Sequence, residues 1–426
     1  MTDNAYFFEY MKELLGARYD EFIQAYESKP RHKGLRVNTL KTGIAEFLSA
    51  FGELKSNPLC SAAFYTDIKP SLDPFYHAGL YYMQEPSASA AVAAFENYIG
   101  RRVLDLCAAP GGKSTQAAAF NKSDIIFCND PDYKRTHALV ENIERLGVSN
   151  AVVTCNTAKD FRAAGFDGYF DSLIVDAPCS GGGMMRYEEV PFTRDIVNGC
   201  AARQRTILAD AVHLLREGGY MLYSTCTFAR EENEDNILYL QALGMSPVDI
   251  ELKAGSERGI DVKEARRVYP MSFDGEGHFY CVLQKTSEAA DCDKPLMRSK
   301  KNKVKLGGLS LEVNDIGGRV ILPLCVPDTK GLNVIRAGTP VFDGNEPSHA
   351  LTHALSREQA ALFGTVELGE HAAEYISGKE IYMTAPRGNL IATYKGYALG
   401  LVKCAPSGNG ELALKNKYPK GLRINA

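Results

Sequence analysis

The chain predicts an α/β fold built on a Rossmann-like, mostly parallel sheet, with a small N-terminal α+β region and a β-rich C-terminal region. Three observations carry that prediction. Between residues 101 and 285, short apolar runs alternate with helix-period segments, the pattern of a parallel sheet with crossover helices. The first of those runs turns through small residues, CAAPGGK at 107–113, directly into a helical pattern at 114–120. Beyond residue 306 the sequence is rich in Gly, Pro and short β-like runs.

The section up to about residue 68 is mixed, and its stretch 29–41 (KPRHKGLRVNTLK) carries five Lys/Arg and no acid. From Lys69 the chain leads through 77–89 (HAGLYYMQEPSAS) into a helix-like run at 88–98. Strands are expected at 102–106, 125–129, 151–155, 172–176, 219–224 and 279–284, with helical spacing at 133–146 and 200–215. In the second helix Ile207, Leu208, Ala211, Leu214 and Leu215 share one face. Glu217-Gly218-Gly219 is expected to stop it. The polar stretch 286–305, containing SKKNKVK, reads as a solvated linker or a basic contact strip, and short strands are expected at 380–384 and 390–394. Four units follow: 1–68, 69–286, a basic linker 287–306, and 307–426.

The 426 residues leave room for roughly two to four domains at ~100–200 residues each. Hydrophobic residues at 45% and charged residues at 23% suit a soluble protein with a real core. A net charge of -4 excludes a global basic field, so any nucleic-acid surface must be local. Residues 1–10 lack the basic start and apolar run of a signal peptide, and no apolar stretch approaches the ~20 residues that span a bilayer. The 11 cysteines include no CxxC pair and no Cys/His cluster at zinc spacing, so a cytoplasmic protein with reduced thiols and no metal is expected. Nothing demands more than a monomer.

The turn Cys107-Ala108-Ala109-Pro110-Gly111-Gly112-Lys113 makes room for a ligand against backbone N–H groups. Two cofactor classes compete. Gly112-Lys113-Ser114 matches the end of a phosphate-binding loop, and Leu173-Ile174-Val175-Asp176 resembles a strand ending in a magnesium-binding acid. The first glycine of that loop would fall at Cys107, however, and Pro110 removes a donor that should cradle phosphate. Asp130 lies about 20 residues past the turn, where a carboxylate can accept ribose hydroxyls of an adenosine-type cofactor. A structural turn with a surface Asp would read the same way.

Asp176-Ala177-Pro178-Cys179-Ser180-Gly181 follows the fourth strand, and Ser224-Thr225-Cys226-Thr227 follows the fifth. In a doubly wound sheet both thiols would face the crevice of the turn. Inert cysteines more often lie within strands, as Cys155 and Cys281 do in this reading. Two thiols beside an electrophilic methyl donor suit methylation of cytosine. A thiolate adding to carbon 6 makes carbon 5 nucleophilic, aided by a donor at N3, a role for Asp176 if its carboxyl is protonated or shared. A base and a second thiol would help the C5 proton and the nucleophile to leave. Lys113 or a helix N-terminus would favour the thiolate, and the target base would have to leave its stack.

Taken together, CAAPGGK, DAPCSG and YSTCT resemble the RNA cytosine-C5 methyltransferases, with support from GLRVNTLK and YYMQEPSAS upstream. The tail GELALKNKYPKGLRI is similar to the bacterial small-subunit (16S) rRNA subgroup, which carries a PUA-like RNA-binding domain there. The resemblance implies a class I methyltransferase core, S-adenosyl-L-methionine as cofactor, and RNA as partner, 16S rRNA or the small ribosomal subunit. By position it makes Cys226 the nucleophile on carbon 6 and Cys179 the thiol that assists product release. Asp176 would bind the cytosine edge, and Lys113 would lie close to the reacting centre. Residues Cys107 to Lys113 would hold the methionine end of the cofactor and Asp130 the ribose. Two departures stand out. Cys155-Asn156-Thr157 replaces the acid that relatives place against the adenine, leaving Asn156 as its candidate partner. Met184-Met185-Arg186-Tyr187 stands where relatives show Phe-Arg-Lys, and is expected to alter substrate contacts.

Two other readings compete: a P-loop NTPase-like enzyme, against which Cys107 and Pro110 stand, and a non-catalytic RNA-binding assembly factor, against which the two loop cysteines stand. Three basic strips, 29–41, 298–305 and 415–423, are expected to form a composite groove for phosphates.

Overall fold

The computed structural model describes residues 5–28, 33–186, 191–288, 292–406 and 412–424. Residues 29–32 of the first basic strip and Tyr187 lie outside the described residues. Near the N-terminus, β1 (Gly34–Val37), β2 (Ala63–Tyr65) and β3 (Tyr81–Met83) form an antiparallel sheet in the order β2-β1-β3. Every residue of β1 is buried.

The central sheet is built from β4 (Arg102–Asp105), β5 (Ile125–Asn129), β6 (Ala151–Thr154), β7 (Phe170–Asp176) and β8 (Leu215–Thr225), followed by β9 (Met245–Pro247), β10 (Glu257–Arg258), β11 (Arg266–Val268) and β12 (His278–Lys285). Strands β6, β5, β4, β7 and β8 lie side by side and parallel, and β12 closes the β8 edge antiparallel. All six expected strands are present, and the last runs against the others. Such strands are covered on both faces, which is why they read as near-continuous apolar runs. Leu104, Phe127, Val152, Leu173, Tyr223 and Phe279 enter one core, while Val103, Ile126, Val153, Ile174, Leu222 and Tyr280 enter the core on the opposite face.

The expected helix at 200–215 is longer, Arg194–Leu214, capped by the Thr193 side chain. It ends before the glycines, which lie inside β8. Gly218 there has φ +69, and a Cβ on Gly219 would come within 2.9 Å of the Asp171 carbonyl oxygen. Gly219 thus serves the strand's close approach to its neighbour and Gly218 a left-handed turn of the backbone, not the helix stop.

The stretch read as a linker contains β13 (Lys300–Leu306), which pairs with β14 (Leu309–Ile316), and β14 pairs in turn with β15 (Arg319–Ile321). Then β16 (Val334–Ala337) returns to the central sheet and pairs antiparallel with β6. A five-stranded sheet of Thr365–Glu367, Ile381–Tyr382, Gly388–Tyr394, Tyr397–Pro406 and Leu412–Asn416 completes the chain. It shares one apolar core with the N-terminal sheet: Leu35, Phe47 and Tyr81 pack in the same cluster as Val366, Tyr375 and Leu399. Among the described residues no helix is long and apolar enough to cross a membrane.

Candidate active site

The site lies at the carboxyl ends of β4, β7 and β8. Asp105 ends β4 fully buried. One of its oxygens, Oδ2, accepts from Ser114 Oγ at 2.6 Å, and Oδ1 has no partner. Burial pushes this carboxyl up to about 7. The following turn closes at Gly111, whose φ of +110 suits glycine alone and where a Cβ would meet Leu139 at 3.1 Å. Helix Gly112–Ala119 then begins. Asp130, just past β5, packs against the turn: its Oδ2 accepts from Ala109 N at 3.2 Å and lies 3.4 Å from Arg135 Nη1. Arg135 Nη2 donates to the Ala109 carbonyl at 2.6 Å, tying acid and turn together. Burial raises the pKa of Asp130 and of the Cys107 thiol.

These groups fit S-adenosylmethionine. The unpartnered Asp105 oxygen can accept from its ammonium, the first amides of Gly112–Ala119 suit its carboxylate, and Asp130 offers oxygens to a ribose. Asn156 has a partner within the chain. Its Oδ1 accepts from Asn333 N at 2.9 Å and its Nδ2 donates to Asn333 O at 3.1 Å. The amide read as the adenine's candidate partner thus also holds the chain's own backbone just before β16, with one N–H and one lone pair left over.

The two loop cysteines converge. Cys179 Sγ and Cys226 Sγ lie 3.2 Å apart, and both residues are partly exposed. The hydrogen bond with Cys226, then burial, drives the Cys179 thiol well up, so Cys179 keeps its proton. A buried network holds the loops. Glu232 accepts from Ser180 N at 3.0 Å and Gln204 Nε2 at 2.8 Å, Ser180 Oγ meets Thr227 Oγ1 at 2.8 Å, and Asn233 accepts from Thr225 Oγ1 at 2.6 Å.

Beside the thiols, Lys113 Nζ and Asp176 Oδ2 pair at 2.8 Å, and Ser224 Oγ donates to Asp176 Oδ1 at 2.7 Å. Burial alone would raise Asp176, but Lys113 foremost, with the Ser224 bond, holds it below the ordinary carboxylate value. Burial would lower Lys113, but Asp176 and then the nearby Cys226 sulfur keep it raised. The carboxyl that sequence reasoning allowed to be protonated is therefore ionised, because a buried ammonium faces it.

Sequence reasoning missed several residues here. Arg36 of β1 is buried and donates to Gln84 Oε1 at 3.0 Å, Gly112 O at 3.1 Å and Thr115 Oγ1 at 2.9 Å, so part of the first basic strip supports the cofactor turn instead of facing solvent. Lys41 donates to the carbonyls of Ala78 and Arg145 at 2.6 and 3.0 Å, so it too is engaged within the protein. Ser224 could have been found as the residue opposite Asp176 in the β7–β8 register. Asp105, Arg135 and His278 carry no such local signal. Among the described residues no group of three or more His, Cys, Asp or Glu is placed to hold a metal ion.

Comparison with known proteins agrees with this geometry. Residues 93–284 match the family described as 16S rRNA methyltransferase RsmB/F. Residues 4–86 match the N-terminal domain of 16S rRNA methyltransferase RsmF, and residues 365–424 the RsmF PUA domain. Ribosomal RNA small subunit methyltransferase F of Klebsiella pneumoniae (strain 342) is 31% identical over 95% of this chain and 92% of its own. Its counterpart in Escherichia coli O81 (strain ED1a) is 35% identical over the same shares. Among solved structures, a methyltransferase homolog protein from Pyrococcus horikoshii is 28% identical with a TM-score of 0.57, covering 65% of this chain and 93% of its own. NSun6 from Pyrococcus horikoshii, 21% identical with a TM-score of 0.58 over 66% of this chain and 98% of its own, shares the fold. With its three matched segments in order and relatives aligned over more than nine-tenths of both chains, the chain belongs to the 16S rRNA methyltransferase RsmB/F family of S-adenosylmethionine-dependent methyltransferases.

Proposed function

We propose that the protein methylates carbon 5 of a flipped cytidine in small-subunit (16S) ribosomal RNA through a covalent adduct with Cys226. The observation that carries this reading is the pair of sulfurs 3.2 Å apart beside the Lys113–Asp176 ion pair. Bound S-adenosylmethionine would supply an electrophilic methyl group. The Cys226 thiolate forms a bond to carbon 6, and the C5–C6 π pair moves to carbon 5. Carbon 5 would take the methyl group as the donor's S–CH3 bond breaks, its electron pair staying on the sulfur of the departing S-adenosylhomocysteine. A base then removes the C5 proton, the C6–S bond breaks with its electrons returning to Cys226, and the double bond re-forms. Cys179, which keeps its proton, can donate to the departing thiolate. Asp176 in its ionised state accepts from the exocyclic amine of cytosine and repels the carbonyl that uracil carries there.

The N-terminal and C-terminal units are proposed as RNA-binding flanks, in the monomer and in the cytoplasm. Their phosphate contacts would come from exposed residues such as Lys300, Lys301, Lys303 and Lys305 of β13 and Lys415. The test uses labelled S-adenosylmethionine and ribosomal RNA from a strain lacking the gene, followed by bisulfite mapping. Cys226→Ala is expected to abolish methylation, and Cys179→Ala to accumulate a covalent protein–RNA adduct. Wild-type protein that makes no 5-methylcytosine, or two variants equally inert and adduct-free, would overturn the proposal.

A further inference from the structure

Three imidazoles are buried among the described residues: His77, His278 and His353. Two of them are satisfied. His77 bonds Tyr418 OH and the Ser71 carbonyl, each at 2.8 Å, and His353 bonds Lys41 Nζ at 3.1 Å and His349 Nε2 at 3.2 Å. His278 differs, since neither ring nitrogen has a hydrogen-bond partner. Each buried polar atom left unpaired costs about 1–3 kcal/mol, so an imidazole in this state needs a reason.

Its position supplies one. The β8–β12 ladder ends with Phe279 opposite Thr225. One step further in register sets His278 across from Cys226, and opposed residues share a face of the sheet. The ring reaches toward Asp176, with Nε2 3.9 Å from Oδ1, too far for a bond and close enough to border the same space. The backbone that delivers it is fixed. Glu276 N donates to Glu85 Oε1 at 2.9 Å and Gly277 N to Ser87 Oγ at 3.3 Å, both acceptors from the upstream QEPS segment. Gly277 has φ +123, and a Cβ there would fall 2.3 Å from the Phe228 ring. Burial, then the neighbouring Lys113 charge, holds the ring's pKa down at about 3, so it is neutral and offers one N–H and one lone pair.

We propose that His278 is a base-recognition residue, hydrogen-bonding the edge of the flipped pyrimidine alongside Asp176. This rests on the function proposed above and adds a contact to it. A neutral group with one donor and one acceptor matches the alternating edge of cytosine, where a charged one would have to compete with Lys113 for Asp176. The orphaned nitrogens are then a cost carried by the free protein and relieved in the complex.

The test compares wild type, His278→Phe and His278→Asn in steady-state methylation of small-subunit ribosomal RNA from a strain lacking the gene. His278→Phe keeps a planar ring and removes both polar atoms. It is expected to lower kcat/KM for RNA about tenfold or more. S-adenosylmethionine affinity by calorimetry should stay within about twofold of wild type, and thermal stability should be unchanged or raised, because the unpaired nitrogens are gone. His278→Asn, which keeps a donor and an acceptor, should recover part of the loss. A structural role predicts the opposite sign for stability, so a Phe variant that melts early and loses cofactor affinity together overturns the proposal. So does one with wild-type kcat/KM. Should the Phe variant not fold, wild-type protein with ¹⁵N-labelled histidine decides: the His278 ring signals are expected to shift on binding the RNA and not on binding the same RNA with the target base removed, and equal spectra overturn the proposal. Wild-type protein that forms no 5-methylcytosine would sink the proposed function instead, a result separate from these.

Discussion

Ser224→Ala isolates one bond of the proposed catalytic cluster. The Ser224 hydroxyl is buried and donates to Asp176 Oδ1 at 2.7 Å, leaving Oδ2 to Lys113 at 2.8 Å. Removing it takes away a single atom and one charge-assisted hydrogen bond. Bonds to ionised groups contribute about 1.5–3 kcal/mol, which at 1.36 kcal/mol per decade corresponds to roughly 10- to 150-fold in rate. The Asp176 side chain is 32% exposed, so water replaces part of the bond and the lower figure, about tenfold in kcat, is expected. The pH profile should move as well. Asp176 acts ionised, so activity falls as pH drops through its pKa. Loss of a bond that favours the ionised form raises that pKa and moves the acid limb to higher pH. The assay is single-turnover methylation across pH, with Asp176→Asn and the double variant completing a cycle. If Ser224 works through Asp176, its removal costs little once Asp176 is gone. Equal losses in both backgrounds, or a Ser224→Ala enzyme as fast as wild type, would refute the assignment.

The Arg267–Glu234 pair, with side chains 2% and 0% exposed and a 2.5 Å contact, is expected to cost about 3–5 kcal/mol when Arg267→Met leaves the acid without its counter-charge, and far less when Glu234→Leu accompanies it. Urea midpoints check this, and a double variant as unstable as the single would count against it. His349 is held at about 4 by burial and then by Lys41, below its unfolded value near ~6.5. The unfolded chain therefore binds the proton first, and stability present above pH ~6.5 is lost as pH falls toward 4. The melting temperature of His349→Phe should fall less over that window than that of wild type, and parallel curves would dismiss the idea. Replacing Lys300, Lys301, Lys303 and Lys305 by Ala should flatten the salt dependence of RNA binding by a slope of up to about 3. An unchanged slope would mean that these lysines only guard the open edge of β13 against pairing.

What the sequence disclosed and what it withheld divide along a physical line. Strands β4 to β8 were legible because a strand covered on both faces must be apolar along its length, and the loops after β7 and β8 were legible because sheet topology sends carboxyl ends to one crevice. Local pattern and topology suffice for such features. The direction of β12 and the pairing of β16 with β6 depend on where a distant segment returns, which no periodicity records. The surroundings of single side chains were hidden for the same reason. Arg36 lies in a basic strip that reads as a solvated surface, yet its partners, 48 to 79 residues away, bury it against the cofactor turn. The amide of Asn156 binds a backbone 177 residues further along the chain. His278 follows Gly275-Glu276-Gly277 at the start of an apolar strand and reads as one more core position. Only the register with β8 sets it across from Cys226, and only the absence of any partner for its ring marks it as unlike His77 and His353. Chemistry carried by a residue type in a loop can be read from sequence, whereas chemistry created by an unfulfilled group in a packed wall becomes visible only once the wall is assembled.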